Sequence, residues 1–127
     1  MPKVSKASAS QVEVVEGILE DRSENLDGYT TGFTSFLADM DPTPMFQGLP
    51  DDRCQCPHWG YVIVGTLRYR YADREEAYHA GDVYYAAPGH TPVIEAETQY
   101  VEFSPTDLLR ETTTVVERNM AAMQGGQ

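Results

Sequence analysis

The sequence predicts an all-β domain, a sandwich or barrel of short strands, followed by one C-terminal α-helix. Three observations carry that expectation. Segments rich in Val, Ile, Thr and Tyr recur roughly every 8–12 residues between Gly, Pro and Asp clusters. Thr66 to Tyr71 alternates cleanly, with Leu67, Tyr69 and Tyr71 on one side and Arg68 and Arg70 on the other. From Ser104 the apolar period changes from two to that of a helix. At 127 residues the chain makes one domain with a single core.

Residues 1–10, MPKVSKASAS, have no periodicity and read as a flexible tail; residues 11–104 are assigned to the barrel and 105–124 to the helix. Gln11 to Gly17 alternates Val12 and Val14 against Glu13 and Glu16, as a half-buried strand does. Asp21 to Asp27 reads as a polar loop, and Gly28 to Leu37 as a second strand. Asp39 to Asp52 holds Pro42, Pro44 and Pro50, so it reads as an ordered loop that packs Met45, Phe46 and Leu49 downward, a lid or rim being one role for it.

Trp59 to Val64 is apolar on both faces and is therefore covered on both, by a second sheet or by a subunit. Gly65 marks a turn or bulge. Ala72 to Glu75 and Ala80-Gly81-Asp82 are turns around the strand Glu76–His79, and Val83 to Ala87 is a strand closed by Pro88-Gly89. Pro92–Ala96 and Thr98–Phe103 read as a final hairpin. Leu109, Val116, Met120 and Met123 then fall at helical spacing beside Leu108 and Val115. The stripe is narrow, so the helix is expected on the outside of the barrel or against a partner, ending near Gln124-Gly125-Gly126.

Nine basic against twenty acidic residues give a formal charge of −11, which argues against a nucleic-acid partner. No run reaches the roughly 18 apolar residues of a membrane span, and no apolar segment follows the first ten residues. A cytoplasmic location is the expectation. Cys54 and Cys56 lie too close in sequence for a relaxed mutual disulfide, so they are thiols or ligands.

Chemistry concentrates in Asp51 to Pro92. Cys54, Cys56 and His58 stand at every second position ahead of one strand, and His90 stands at the end of another. A regular strand would spread residues 54–58 over about 13 Å, too far for all three to hold one ion. Pro57 makes a bulge plausible, and across it Cys54 or Cys56 can chelate together with His58. Sulfur and imidazole donors favour zinc, with iron, manganese or copper as alternatives. His58 and His90 are also the candidate catalytic groups. Tyr69 and Tyr85 are candidates to line a substrate pocket, and Glu102, if it points inward, is a candidate acid, base or fourth ligand. His79 reads as a solvated residue. The bland alternative is that the histidines are hydrogen-bonded pocket residues and the cysteines small core side chains.

Over roughly residues 45–104 this framework resembles the cupins, small jelly-roll barrels with two glycine-bounded motifs. Gly65 fits the closing glycine of the first motif, His58 stands at its glutamate, Cys54 at one histidine position and Asp52 at the other. Gly81 and Gly89 fit the second motif, with Pro88 one place late, Pro92 at the histidine position and His90 two residues earlier. The stretches CQCPHWGY and GDVYYAAPGHTP look like those of a subgroup of small single-domain cupins. The resemblance implies a metal-binding barrel that takes a small organic molecule, for oxygenase, isomerase, decarboxylase or cyclase chemistry. The usual metal positions hold other residues, so the common three-histidine, one-glutamate set does not carry over. A metal-free binding or regulatory module and a purely structural dimer are the competing readings. A homodimer through Trp59, Tyr61 and Ile63 is expected in each.

Overall fold

The computed structural model describes residues 3–125, so Met1, Pro2 and Gly126 of the expected tail and helix end lie outside the described residues. Among these described residues nine strands, β1 (Gln11–Val15), β2 (Leu19–Leu26), β3 (Tyr29–Phe36), β4 (His58–Val64), β5 (Thr66–Arg70), β6 (Glu75–His79), β7 (Val83–Ala86), β8 (Thr91–Ile94) and β9 (Thr98–Pro105), precede one α-helix, α1 (Thr106–Gly125). All strand pairs are antiparallel. They form a six-stranded sheet in the order β1-β2-β3-β9-β4-β7 and a three-stranded sheet in the order β6-β5-β8.

The inner faces of the two sheets meet in a core of Phe36, Val62, Leu67, Tyr69, Tyr84, Ala86, Ile94 and Tyr100. The alternation of β5 works as expected: Leu67 and Tyr69 are buried and Arg70 is exposed. The smaller sheet cannot cover all six strands of the larger. α1 and the 39–52 segment, which folds into two short 3-10 helices (Thr43–Phe46 and Pro50–Asp52), close the remainder. Phe46, Leu49, Cys54 and Cys56 form a second buried cluster there, against Leu109, Val115 and Val116 of α1. Asn119 holds the junction by donating to the carbonyls of Met45 (2.6 Å) and Gln47 (2.8 Å).

Three sequence expectations are corrected. Residues 21–26 are strand, not loop. Arg22 and Glu24 on the outward side are polar, and so are the inward residues, Asp21, Ser23 and Asn25, because they face a cavity instead of a packed core. The signal that could have found this strand is Asp27-Gly28, which turns with φ of 50° and 87°, the pair of positive values a two-residue hairpin needs. β1 exists, but Val12 and Val14 are exposed while Glu13 lies on the cavity side. Finally, β8 and β9 do not pair as a hairpin. β8 pairs with β5, whereas β9 lies between β3 and β4, so residues 95–97 carry the chain from one sheet to the other.

That crossing is tight at Gly65, which has a φ of +87°. A Cβ there would stand 2.4 Å from Thr98 Oγ1 and 2.9 Å from the Glu97 carbonyl. Gly17 has a similar φ, +79°, with nothing within 4 Å. Gly17→Ala should therefore cost about 1 kcal/mol, the strain of the left-handed region alone. Gly65→Ala should cost about 3 kcal/mol or more, because backbone must also move. Urea midpoints measure both, and equal losses would show that the contact at Gly65 relaxes freely.

Candidate metal centre

The segment before β4 is not a regular strand. Cys54 makes an isolated antiparallel bridge to His90, in which Cys54 N donates to the His90 carbonyl and Gly89 N to the Cys54 carbonyl, both at 2.8 Å. Residues 55–57 then leave the ladder before β4 begins at His58. This kink shortens the span between Cys54 and His58. The result is a cluster in which one donor atom from each of Cys54, His58 and His90 lies within 4.8 Å of the others. Cys54 Sγ is 3.8 Å from His58 Nε2, and the two imidazole rings are 4.8 Å apart. All three residues are buried.

The hydrogen bonds fix the tautomer of His90. Its Nδ1 lies 2.6 Å from the Ala87 carbonyl, which can only accept, so Nδ1 carries the proton. Nε2 is then a bare lone pair, and it is buried without a hydrogen-bond partner among the described residues. Leaving such an atom unpaired costs about 1–3 kcal/mol. His58 places Nδ1 2.6 Å from Ser104 Oγ and turns Nε2 to Cys54. Thr112 of α1 reaches the Cys54 thiol at 3.2 Å. Two imidazole lone pairs and one thiol, each anchored from behind by a second group, form a donor set that fits a zinc-type cation.

Electrostatics describe the cluster without a cation. Burial pushes the His58 and His90 pKa values down to about 4, His58 adding a further downward push on His90. Burial pushes the Cys54 thiol up to about 11, against the hydrogen bond from Thr112. At neutral pH the centre thus holds two neutral imidazoles and a thiol, and a bound cation would favour the thiolate.

The remaining candidates fall in different places. Cys56 is buried but stands apart from the three, with its thiol donating to the carbonyls of Pro57 (3.3 Å) and Pro105 (3.9 Å). Glu102 points inward: Oε2 accepts from Tyr69 and Tyr84, each at 2.5 Å, and Oε1 lies 3.6 Å from His58 Nδ1. Burial raises its pKa, and the two tyrosine hydrogen bonds oppose the rise. Tyr69 is buried beside both histidine rings. Tyr85 points the other way, exposed on the outer face at 5.1 Å from the Trp59 ring. The inward tyrosine of β7 is its neighbour Tyr84, whose ring occupies the space that Gly60 leaves, 2.4 Å from where a Cβ would stand. His79 is exposed. Sequence reasoning missed Tyr84, Ser104 and Thr112. The parity of His58 and Gly60 across β4 could have found the first, since Tyr84 pairs with Gly60.

A cavity of about 890 Å³ opens between α1 and the inner face of β1, β2, β3 and β9. Glu102 and Ser104 line it, and both touch His58, so they form the wall between cavity and cluster.

Comparison with solved structures places this architecture. The chain is similar to the polyketide cyclase RemF from Streptomyces resistomycificus, at 15% identity over 83% of this chain and 79% of that one, with a TM-score of 0.58. It is similar to a protein of unknown function from Rhizobium leguminosarum (20% identity, 82% and 94% covered, TM-score 0.57). It is also similar to an RmlC-like cupin from Shewanella frigidimarina (14% identity, 83% and 92% covered, TM-score 0.54). No family model and no curated protein matches the sequence. The fold is that of the cupins, here a small barrel followed by a C-terminal helix.

The neutral histidines have a measurable consequence in metal-free protein. His90 would titrate near 6.5 when unfolded and near 4 when folded, so the unfolded chain binds its proton first as pH falls. Its contribution is whole above about pH 6.5 and is lost on the way down to about 4. Relative to a His90→Gln variant, wild type should lose about 2 kcal/mol between pH 7 and 4.5 in urea titrations. The carboxylates are common to both proteins and cancel. A difference independent of pH would show that His90 is not held neutral.

Proposed function

We propose that this chain binds a divalent metal ion, zinc before iron, manganese or copper, through Cys54, His58 and His90, and acts on a small organic molecule held in the adjoining cavity. The observation that carries the reading is His90 Nε2, an unprotonated and unpartnered buried nitrogen aimed at a thiol and a second imidazole. Three protein donors leave a coordination position open, the arrangement of catalytic sites. When bound, the ion supplies Lewis acidity and a water acidic enough to ionise near neutral pH. Glu102 is the group that holds or moves a proton for the occupant of the cavity, at Oε1, while Tyr69 and Tyr84 fix Oε2. His58 supports the same exchange through Nδ1 at 3.6 Å. Cys56 serves as packing.

A metal-free binding module is the second reading, favoured by the burial that keeps Cys54 a thiol with a pKa of about 11. Elemental analysis of tag-free protein separates the two. Wild type should carry near-stoichiometric metal, His58→Ala and His90→Ala should lose at least tenfold in affinity, and Cys56→Ser should retain it. No metal in wild type after reconstitution with zinc, iron, manganese and copper would sink the metal reading.

The same reading includes a homodimer. The outward residues of β9, β4 and β7 carry no charge in a chain of net charge −11. Trp59, Tyr61, Ile63, Val83, Tyr85 and Phe103 are each 41–80% exposed there. Half-exposed aromatics leave roughly 100 Å² each, and the face approaches the roughly 800 Å² that one partner contributes to a stable complex. Two like-charged copies meet with least repulsion on such a face. Ile63→Glu should elute as a monomer on size exclusion where wild type elutes as a dimer. An unchanged elution volume would rule this interface out.

A further inference from the structure

The cavity beside the cluster adjoins a second one of different chemistry, its neighbouring lobe. The polar lobe, about 890 Å³, and a mainly apolar lobe of about 320 Å³ share Glu13, Leu19, Phe36, Tyr100 and Val116 as lining. The apolar lobe runs under Met40, Met45, Ile94 and Met120. Methionines fill irregular space and adapt to varied apolar shapes, so this lobe suits a ring or short chain.

The polar lobe is organised by cross-strand register. Asp21 sits opposite Thr34, and Ser23 opposite Gly32, which is opposite Glu102. Asp21 and Glu102 therefore flank Gly32 diagonally on one inner face. A Cβ at Gly32 would stand 3.3 Å from Asp21 Oδ1, so the glycine keeps the space between the two carboxylates open. Asp21 spends Oδ1 on Thr34 Oγ1 at 2.7 Å, and Oδ2 has no hydrogen bond among the described residues. Glu102 spends Oε2 on two tyrosines and leaves Oε1 toward the wall of the cavity. Glu13 and Glu117 add negative charge at the rim, and the one basic residue in the lining, Arg110, lies 3.5 Å from Asp107. An enclosed carboxylate without a cationic partner is costly, and it rejects an anionic occupant. A neutral occupant leaves that charge unpaired. An ammonium pairs it.

From this geometry we propose that the cavity binds a compact amphipathic amine, its ammonium between Asp21 and Glu102 and its apolar body in the methionine-lined lobe. The proposal rests on the small-molecule reading of the cavity and names its ligand class; it does not depend on the metal.

The test is calorimetric titration at pH 7.5 of full-length protein, in metal-free and metal-reconstituted form, with three probes of one shape: 2-phenylethylamine, 2-phenylethanol and 3-phenylpropionate. The amine should bind at least tenfold more tightly than the alcohol or the acid. Asp21→Asn should remove at least fivefold of that preference and leave the affinity for the alcohol unchanged, Glu102→Gln should lower the preference as well, and Met120→Gln should weaken amine and alcohol alike. Circular dichroism identifies any variant that fails to fold, and the isosteric Asp21→Asn change alone suffices to decide. Equal affinity for the three probes, or an amine preference untouched by Asp21→Asn, would overturn the proposal. Metal content measured on the same samples keeps the two readings apart. Amine preference in protein that takes up no metal supports the ligand class and sinks the metal centre, whereas metal-loaded protein without amine preference does the reverse.

Discussion

The exchange of backbone hydrogen bonds between Cys54 and His90 is the constraint on which the site depends. Neither residue lies in a regular strand at that point, or only at the edge of one. Each is placed by its backbone, because Cys54 N and O are both engaged with the Gly89-His90 peptide. Gly89, with a φ of +95°, allows the chain to turn back on itself and present that peptide. Once the two backbones are joined, the side chains meet. The Nδ1 bond to Ala87 then selects the tautomer, so backbone geometry also decides which nitrogen of His90 is free.

A second constraint concerns what the larger sheet faces. From β3 to β7 its inner face packs against the small sheet and reads as ordinary core, with Phe36, Tyr100, Val62 and Tyr84. From β1 to β3 the small sheet no longer reaches, and the inward residues turn polar. Glu102 stands at the boundary. On one side it is held by Tyr69 and Tyr84, whose hydroxyls would themselves be costly to bury unpaired, and on the other it meets the cavity. The polar inner row is thus compatible with a stable barrel, because hydroxyl and carboxylate satisfy each other at the edge of the core.

These two constraints explain what the sequence made legible. The apolar strands β3, β4, β5 and β7, their turns and the helix were readable because burial there follows a simple period of two or of a helix. The clustering of chemistry near Cys54, His58 and His90 was readable because those side chains are rare and close in sequence or in motif position. β2 was not, since its inward Asp21, Ser23 and Asn25 look like loop to any rule that equates inward with apolar. Tyr85 was placed inward because two adjacent tyrosines on a short strand give no sign of which one faces in; the glycine opposite, Gly60, decides it. The crossing of residues 95–97 between sheets was hidden for a similar reason. A strand, a three-residue gap and a strand look like a hairpin unless one knows that β8 takes β5 as its partner and β9 takes β3 and β4.

The helix has a role that its narrow apolar stripe does not convey. Val115 and Val116 cover the cluster that contains both cysteines, and Thr112 reaches the Cys54 thiol directly. Thr106 bonds Thr30 at one end, and Asn119 bonds the Met45 and Gln47 carbonyls further on. α1 therefore touches the donor set, the roof of the cavity and the 39–52 segment at once. Any occupant that tightens Cys54 or fills the space beneath Val116 strengthens contacts made by the same twenty-residue element. If the proposed occupants bind, each would add to the contacts that hold the helix in place. Glu102 and Ser104, which line the cavity and contact His58, stand between the cluster and the cavity.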